Sequence, residues 1–255
     1  MRKTTIKGHT IELYDSIDEL PIKRFHKFNK MLLIDACIGS DLTDFDRHLA
    51  KVLLFIKDKQ TDNAVTELDN LRQNVYLVQT EMAPRYLAFA CLVSKLDGKE
   101  CNDLSDGALK NIVETLSDLS VEEITALQEA VKKKIDDEMY AYFPALTDNA
   151  LQKEYYDQIK KRTLLLLEET SANKNNEAEI EEITKKMIIR QKPKSFNGKN
   201  NAEIEYDKDF ERMCVIIAKN LNTNPKEYSV LEFYTAYEHI KEMHKAQEKP
   251  NKRQI

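Results

Sequence analysis

Residues 120–139 read SVEEITALQEAVKKKIDDEM, and the spacing within this stretch decides the fold class. Val121, Ile124, Leu127, Val131, Ile135 and Met139 recur three or four positions apart, which places them on one stripe of a helix with 3.6 residues per turn. Lys132, Lys133 and Lys134 fall on the other side. Ser120 and Glu123 match the S-x-x-E capping box, in which each side chain satisfies a backbone N–H at the helix start. A helix with one wet and one dry face follows.

The same pattern extends in both directions. Ser16–Glu19 and Ser229–Glu232 are two further capping boxes, the first followed by Pro21. Apolar residues at 22, 25, 28, 32 and 36 lie close to one helical face, and Gly39 follows as a stop. Phe45, Leu49, Val52 and Ile56 predict the buried stripe of a second helix, and Val65, Leu68, Leu71, Val75 and Val78 that of a third. Tyr86 to Leu96 is apolar nearly all round, as in a helix enclosed by its neighbours, and Asp97-Gly98-Lys99 ends it. Ser105 or Asp106 caps a short helix carrying Leu109, Ile112, Val113 and Leu116. Beyond Pro144, Asp148 caps a helix through Leu151, Tyr155, Ile159 and the run from Leu164 to Leu167. Thr4 to Tyr14 is the one good strand candidate, a hairpin turning at Gly8-His9. A lone hairpin is marginal in water, so it lies on the helical body or adds to another sheet.

Composition agrees. The 255 residues include only 5 Gly and 6 Pro, where average usage gives about 18 and 13. A protein of many tight turns, or one with glycine-rich phosphate loops, needs more. With 42% hydrophobic and 33% charged residues, the expected fold is mainly α: a multi-helix bundle, soluble, with a short N-terminal β-hairpin. No run of 18 apolar residues predicts a membrane span, and residues 1–15 turn polar before any signal-like core. Cys37, Cys91, Cys101 and Cys214 form no C-x-x-C pair, so reduced thiols and a cytoplasmic location are expected.

Domain boundaries follow from composition. Residues 1–16 read as the hairpin and 17–169 as a helical domain. Residues 170–206, rich in Asn, Glu and Lys, read as a flexible linker, within which Glu179 to Ile189 has a transient helical pattern. Residues 207–255 read as a C-terminal helical hairpin with a charged tail.

Motifs with a known chemistry are largely missing from the sequence. Gly8, Gly39, Gly98, Gly107 and Gly198 cannot form G-x-G-x-x-G or a P-loop, and no G-x-S-x-G elbow exists. His239 and His244 are five apart, which turns their imidazoles about 140° from each other on a helix. Asp41, Asp44 and Asp46 fit a helix N-terminus better than a calcium loop. No catalytic residue, metal ligand or cofactor is therefore expected. In Lys23-Arg24-Phe25-His26-Lys27-Phe28-Asn29-Lys30, cations alternate with aromatic rings, making Lys23, Arg24, Lys27 and Lys30 the candidate nucleic-acid contacts. Phe25 and Phe28 share the stripe of Leu32, however, so the four cations read first as a solvated face, and the net charge of −5 disfavours nucleic acid.

The C-terminal hairpin is more informative. Residues 213–218 together with Leu231, Phe233, Tyr234, Tyr237, Ile240 and Met243 are more apolar than two helices can bury between themselves. The hairpin must dock on residues 17–169, self-associate or take a partner. The exposed members of Phe233, Tyr234, Tyr237 and Ile240 are the candidate partner contacts.

The pattern from Asp209-Phe210 through Ala218-Lys219-Asn220-Leu221-Asn222-Thr223-Asn224-Pro225 to Ser229-Val-Leu-Glu232-Phe233-Tyr234 resembles a helical module of phage tail assembly chaperones, with Asn222 where glycine is usual. Residues 14–48 resemble uncharacterised proteins encoded beside tail genes in phages of gut bacteria. The resemblance implies a non-enzymatic assembly protein of the host cytoplasm that holds a tail tube or tape-measure protein. A permanent virion component such as a connector, a cytoplasmic regulatory adaptor and a weak nucleic-acid binder are the alternatives, and homo-oligomerisation stays open.

Overall fold

The computed structural model describes residues 1–39, 41–80, 83–116, 119, 121–147, 150–172, 175–190 and 192–248. The expected caps Ser120 and Asp148 and the tail 249–255 lie outside them. Strands β1 (Arg2–Ile6) and β2 (His9–Leu13) open the chain, followed by α1 (Ile22–Ile38), α2 (Leu42–Lys57), α3 (Thr61–Thr80) and α4 (Pro84–Leu92). Strands β3 (Val93–Leu96) and β4 (Lys99–Glu100) precede α5 (Asp106–Thr115), α6 (Val121–Tyr142), α7 (Pro144–Thr147), α8 (Ala150–Ala172) and α9 (Glu177–Arg190). The last two helices are α10 (Ala202–Leu221) and α11 (Val230–Glu248). The fold is mainly α with a small antiparallel sheet of order β1-β2-β3-β4.

The sheet is larger than expected because Val93–Leu96 leaves the helix. The run from Tyr86 is helical only to Leu92, and Ile11 then pairs with Leu96, Glu12 with Lys95 and Leu13 with Val93. Both two-residue turns, Lys7-Gly8 and Asp97-Gly98, have φ > 0 at each position (49° and 92°; 50° and 79°). That is the geometry whose twist matches a tight antiparallel hairpin. The first turn is thus Lys7-Gly8, not Gly8-His9. Asp97 also binds across the sheet, accepting from Thr10 N and meeting His9 Nδ1, each at 2.8 Å.

The helix caps divide. At Ser229–Glu232 the capping box forms in both directions, Glu232 accepting from Ser229 N at 2.8 Å and Ser229 Oγ accepting from Glu232 N at 3.2 Å. Asp41 and Asp44 form another. Ser16–Glu19 does not cap: α1 starts after Pro21 without a side-chain cap, while Ser16 Oγ donates to Glu138 at 2.8 Å. Asn222 takes the left-handed conformation (φ 53°, ψ 44°) that ends α10, which explains how asparagine serves where glycine is usual.

One core runs through the molecule. Ile11 and Leu13 of the sheet, Phe25 and Phe28 of α1, all of Leu87–Leu92 in α4, and Ile124, Val131, Ile135 and Met139 of α6 join Phe210, Cys214, Ile217, Val230, Phe233 and Ile240 from the C-terminal helices. Backbone bonds seal this junction: Ile22 N to Tyr228 O, Val230 N to Leu20 O and Leu231 N to Ile17 O, all at 2.9 Å. The C-terminal hairpin therefore docks on its own chain.

Two expectations about side-chain placement need correction. In α2 and α3, Val52 is buried, but Leu49, Ile56, Val65 and Leu68 are exposed, and Phe45, Leu71 and Val75 only half-buried; the Val78 side chain lies outside the described residues. The buried edge of this helix pair is mixed instead, with Val52, Phe55 and Ala64 beside His48, Glu67, Asn70 and Asn74. Residues 170–206 contain α9, which packs on α8 and α2, with Ile183 and Phe196 buried. Lys185 pairs with Asp58 at 2.9 Å, and Asn70 Nδ2 donates to Lys194 O at 3.1 Å.

Candidate interaction surface

Helix α10 presents two apolar faces. Phe210, Cys214 and Ile217, spaced four and three apart, enter the core. Ile204, Val215 and Ile216 point away from it, Ile204 and Val215 being 50% and 49% exposed. With Asp207, Lys208, Glu211 and Arg212 they line a shallow depression of about 700 Å³. The charges around it are largely engaged locally: Lys208 with Glu205 at 2.7 Å, Arg212 with Asp209 at 2.8 Å, and Glu211 with Lys226 at 2.6 Å.

Asp207 ties this helix to α1. His26 Nε2 lies 2.8 Å from Asp207 Oδ1, and Lys30 Nζ lies 3.0 Å from Oδ2 and 3.4 Å from Glu203. The His26 ring stacks on Tyr206 and Phe210, with centroids 4.8 and 4.1 Å apart. Burial lowers the His26 pKa despite the neighbouring carboxylate, so a neutral imidazole donates from Nε2. Burial alone would raise the Asp207 carboxyl, but the bonds from His26 and Lys30 outweigh it and hold it below the usual range. Lys30 shifts up, since its two carboxylates overcome the cost of burial.

The candidate nucleic-acid residues are differently employed. Arg24 is only 4% exposed, an outcome foreign to a solvated face and to a nucleic-acid contact alike. Its Nη1 donates to Cys91 O at 3.1 Å and Val93 O at 3.0 Å, its Nη2 to Cys101 O, and its guanidinium lies 5.3 Å from the centre of the Tyr14 ring. Arg24 thus satisfies the carbonyls where α4 turns into β3. Lys27 binds Asp106 at 2.7 Å and Lys30 binds α10, which leaves Lys23 as the exposed member of the four.

The four candidate partner contacts also turn inward. Phe233 and Ile240 are buried, and Tyr234 and Tyr237 half-buried. Phe233 packs on Phe210 and Tyr234, and Tyr234 on Phe25 and Phe143. The face of α11 selected from sequence is taken by α1, α10 and Phe143 of the same chain. The outer stripe of α10 is hidden in the sequence because Val215 and Ile216 belong to one apolar run and Ile204 lies in the segment that reads as linker. Only docking of its other side reveals it.

Elsewhere, burial raises the thiol pKa of Cys37, Cys101 and Cys214, and that of Cys91 to about 12, so all four stay protonated at neutral pH. A cavity of about 410 Å³ beside Met31, Ile34 and Tyr76 has Asp106 and Glu203 in its lining, which hold Lys27 and Lys30. His239 and His244 are exposed. Among the described residues no three His, Cys, Asp or Glu side chains gather as metal ligands, and no helix is long and apolar enough to cross a membrane. Comparison of the chain with protein families, curated proteins and solved structures found no match to any of them.

Proposed function

We propose that this chain is a non-enzymatic assembly protein that holds an apolar helical segment of another protein along the outer stripe of α10. The observation that carries the reading is the pair of apolar faces on one helix. One face anchors the C-terminal hairpin, and the other leaves Ile204, Val215 and Ile216 in contact with water. Half-exposed aliphatic side chains around a depression, rimmed by charges already paired, suit a partner that supplies an apolar stripe. The resemblance of this hairpin to tail assembly chaperones makes the partner a phage tail tube or tape-measure protein, kept in the host cytoplasm until assembly.

Co-expression with those tail proteins tests the reading. The chain is expected to co-purify with one of them, and Val215→Asp with Ile216→Asp is expected to abolish capture while circular dichroism stays unchanged. Undiminished capture by the double variant removes α10 as the surface. Mature particles are expected to lack the protein; its presence there in stoichiometric amount replaces the chaperone reading with a permanent virion component.

A further inference from the structure

The buried edges of α2 and α3 face each other, Val52, Phe55 and Ala64 lying there with a polar cluster that also reaches the body. His48 Nδ1 lies 2.7 Å from Glu67 Oε1 and its Nε2 2.8 Å from Ile38 O, with Lys51 3.4 Å from Glu67. Asn74 Nδ2 reaches Ile38 O at 3.1 Å, beside the bond from Asn70 to Lys194 O. Each helix carries a further apolar stripe outside that edge: Leu53, Ile56 and Val65 are 54%, 57% and 54% exposed, and Leu49 and Leu68 are exposed too. Counted at 100° per residue, the stripe of each helix is turned from its buried edge by about a quarter to a third of a turn, in the same sense. Because the two helices run antiparallel, equal sense brings both stripes to one side of the hairpin. The result is a single apolar face.

We infer that a second copy of this chain covers that face, through an antiparallel pairing of α2 with α2. The charge pattern is self-complementary. An antiparallel pair centred near Leu53 sets Leu49 against Ile56 of the second copy, and the exposed Asp46 beside the exposed Lys57 of the second copy, twice over. A parallel pairing would hold Asp46 and Lys57 at different heights along the seam and forgo both pairs. Leu53 meets its own counterpart at the twofold axis, with Val65 and Leu68 flanking the seam. About half of five large side chains is on the order of 450 Å² per copy, so two faces with their rim reach the roughly 1,000 Å² of a specific interface. The surface is separate from α10, so the dimer stands or falls independently of the proposed partner.

Sedimentation of the full chain tests this directly. A species of twice the 29.7 kDa chain mass is expected, and a monomer at about 50 μM overturns the inference. Leu53→Glu places two carboxylates at the axis and is expected to weaken the dimer at least about 30-fold with circular dichroism and urea midpoint unchanged. A dimer indifferent to that change forms elsewhere and overturns it equally. Asp46→Lys and Lys57→Asp are each expected to weaken association about tenfold, and their combination to restore it. Failure of the combination to restore association overturns the antiparallel register. Val215→Asp with Ile216→Asp is expected to leave the dimer intact.

Discussion

His26 Nε2 stands 2.8 Å from Asp207 Oδ1, a bond that joins α1 to α10 across 181 positions of sequence. Burial depresses the His26 pKa, and Lys30 opposes its protonation further, while Asp207 and Glu211 favour it without prevailing. The unfolded chain therefore takes up the proton first as pH falls, so stability is lost downward from the ordinary histidine range near 6.5. Asp207, held below 3.8, adds a second loss in the same direction at lower pH. Urea midpoints at pH 7 and pH 5 are expected to differ more for the native chain than for His26→Gln. Equal differences would show that another group sets the acid limit.

Arg24 closes three carbonyls at the α4–β3 junction, and a smaller side chain leaves them buried and unpaired. Arg24→Met is expected to cost about 3 kcal/mol in urea denaturation. A loss under about 1 kcal/mol would mean that water re-enters to serve those groups.

Phe233 is fully buried against Phe210 and Tyr234. Phe233→Ala is expected to lower stability by about 3–5 kcal/mol. An aromatic side chain reserved for an outside partner would leave the melting temperature unchanged.

The serines of Ser16–Glu19 and Ser229–Glu232 separate by function. Ser229→Ala should cost about 1 kcal/mol as a lost cap. Ser16 instead shares Glu138 Oε2 with Ile17 N, both bonds at 2.8 Å. Glu138→Ala is accordingly expected to destabilise more than Ser16→Ala, since it strips both donors of their acceptor.

Residues 177–202 test the packing of α9. Ile183 and Phe196 are buried and Ala202 N donates to Ser195 O at 2.7 Å, so trypsin is expected to cut slowly at Lys185, Lys186 and Lys194 under native conditions. Rapid cleavage there would make this segment a tether.

The sequence announces α6 almost completely, because its stripe and the direction of the core coincide at Ile124, Val131, Ile135 and Met139. It misleads at α2 and α3 for a physical reason: periodicity locates the apolar side of a helix, not the side its neighbours occupy. His48 with Glu67 is a buried pair that binary patterning assigns to water. Val93–Leu96 escapes for another reason, since a short apolar run suits helix and strand equally. Asp97-Gly98, a two-residue hairpin signal, is the clue that arbitrates. In residues 170–206 an Asn- and Lys-rich composition outweighs two buried apolar side chains. Arg24 hides among cations because nothing in its neighbourhood marks the carbonyls of residues 91, 93 and 101. The α10 surface depends on which side docks, so it becomes visible only in three dimensions.

The bonds between residues 17–22 and 228–231 also set a timetable. Ile22 is made early in synthesis, yet the carbonyl that its amide needs, on Tyr228, is made about 200 residues later, a wait of about 10 to 40 s on the ribosome. Phe25 and Phe28 wait with it, since Phe210 and Phe233 close the same core. The first helix to emerge is thus the last to be sealed, and the nascent chain carries an open apolar edge for most of its time in synthesis.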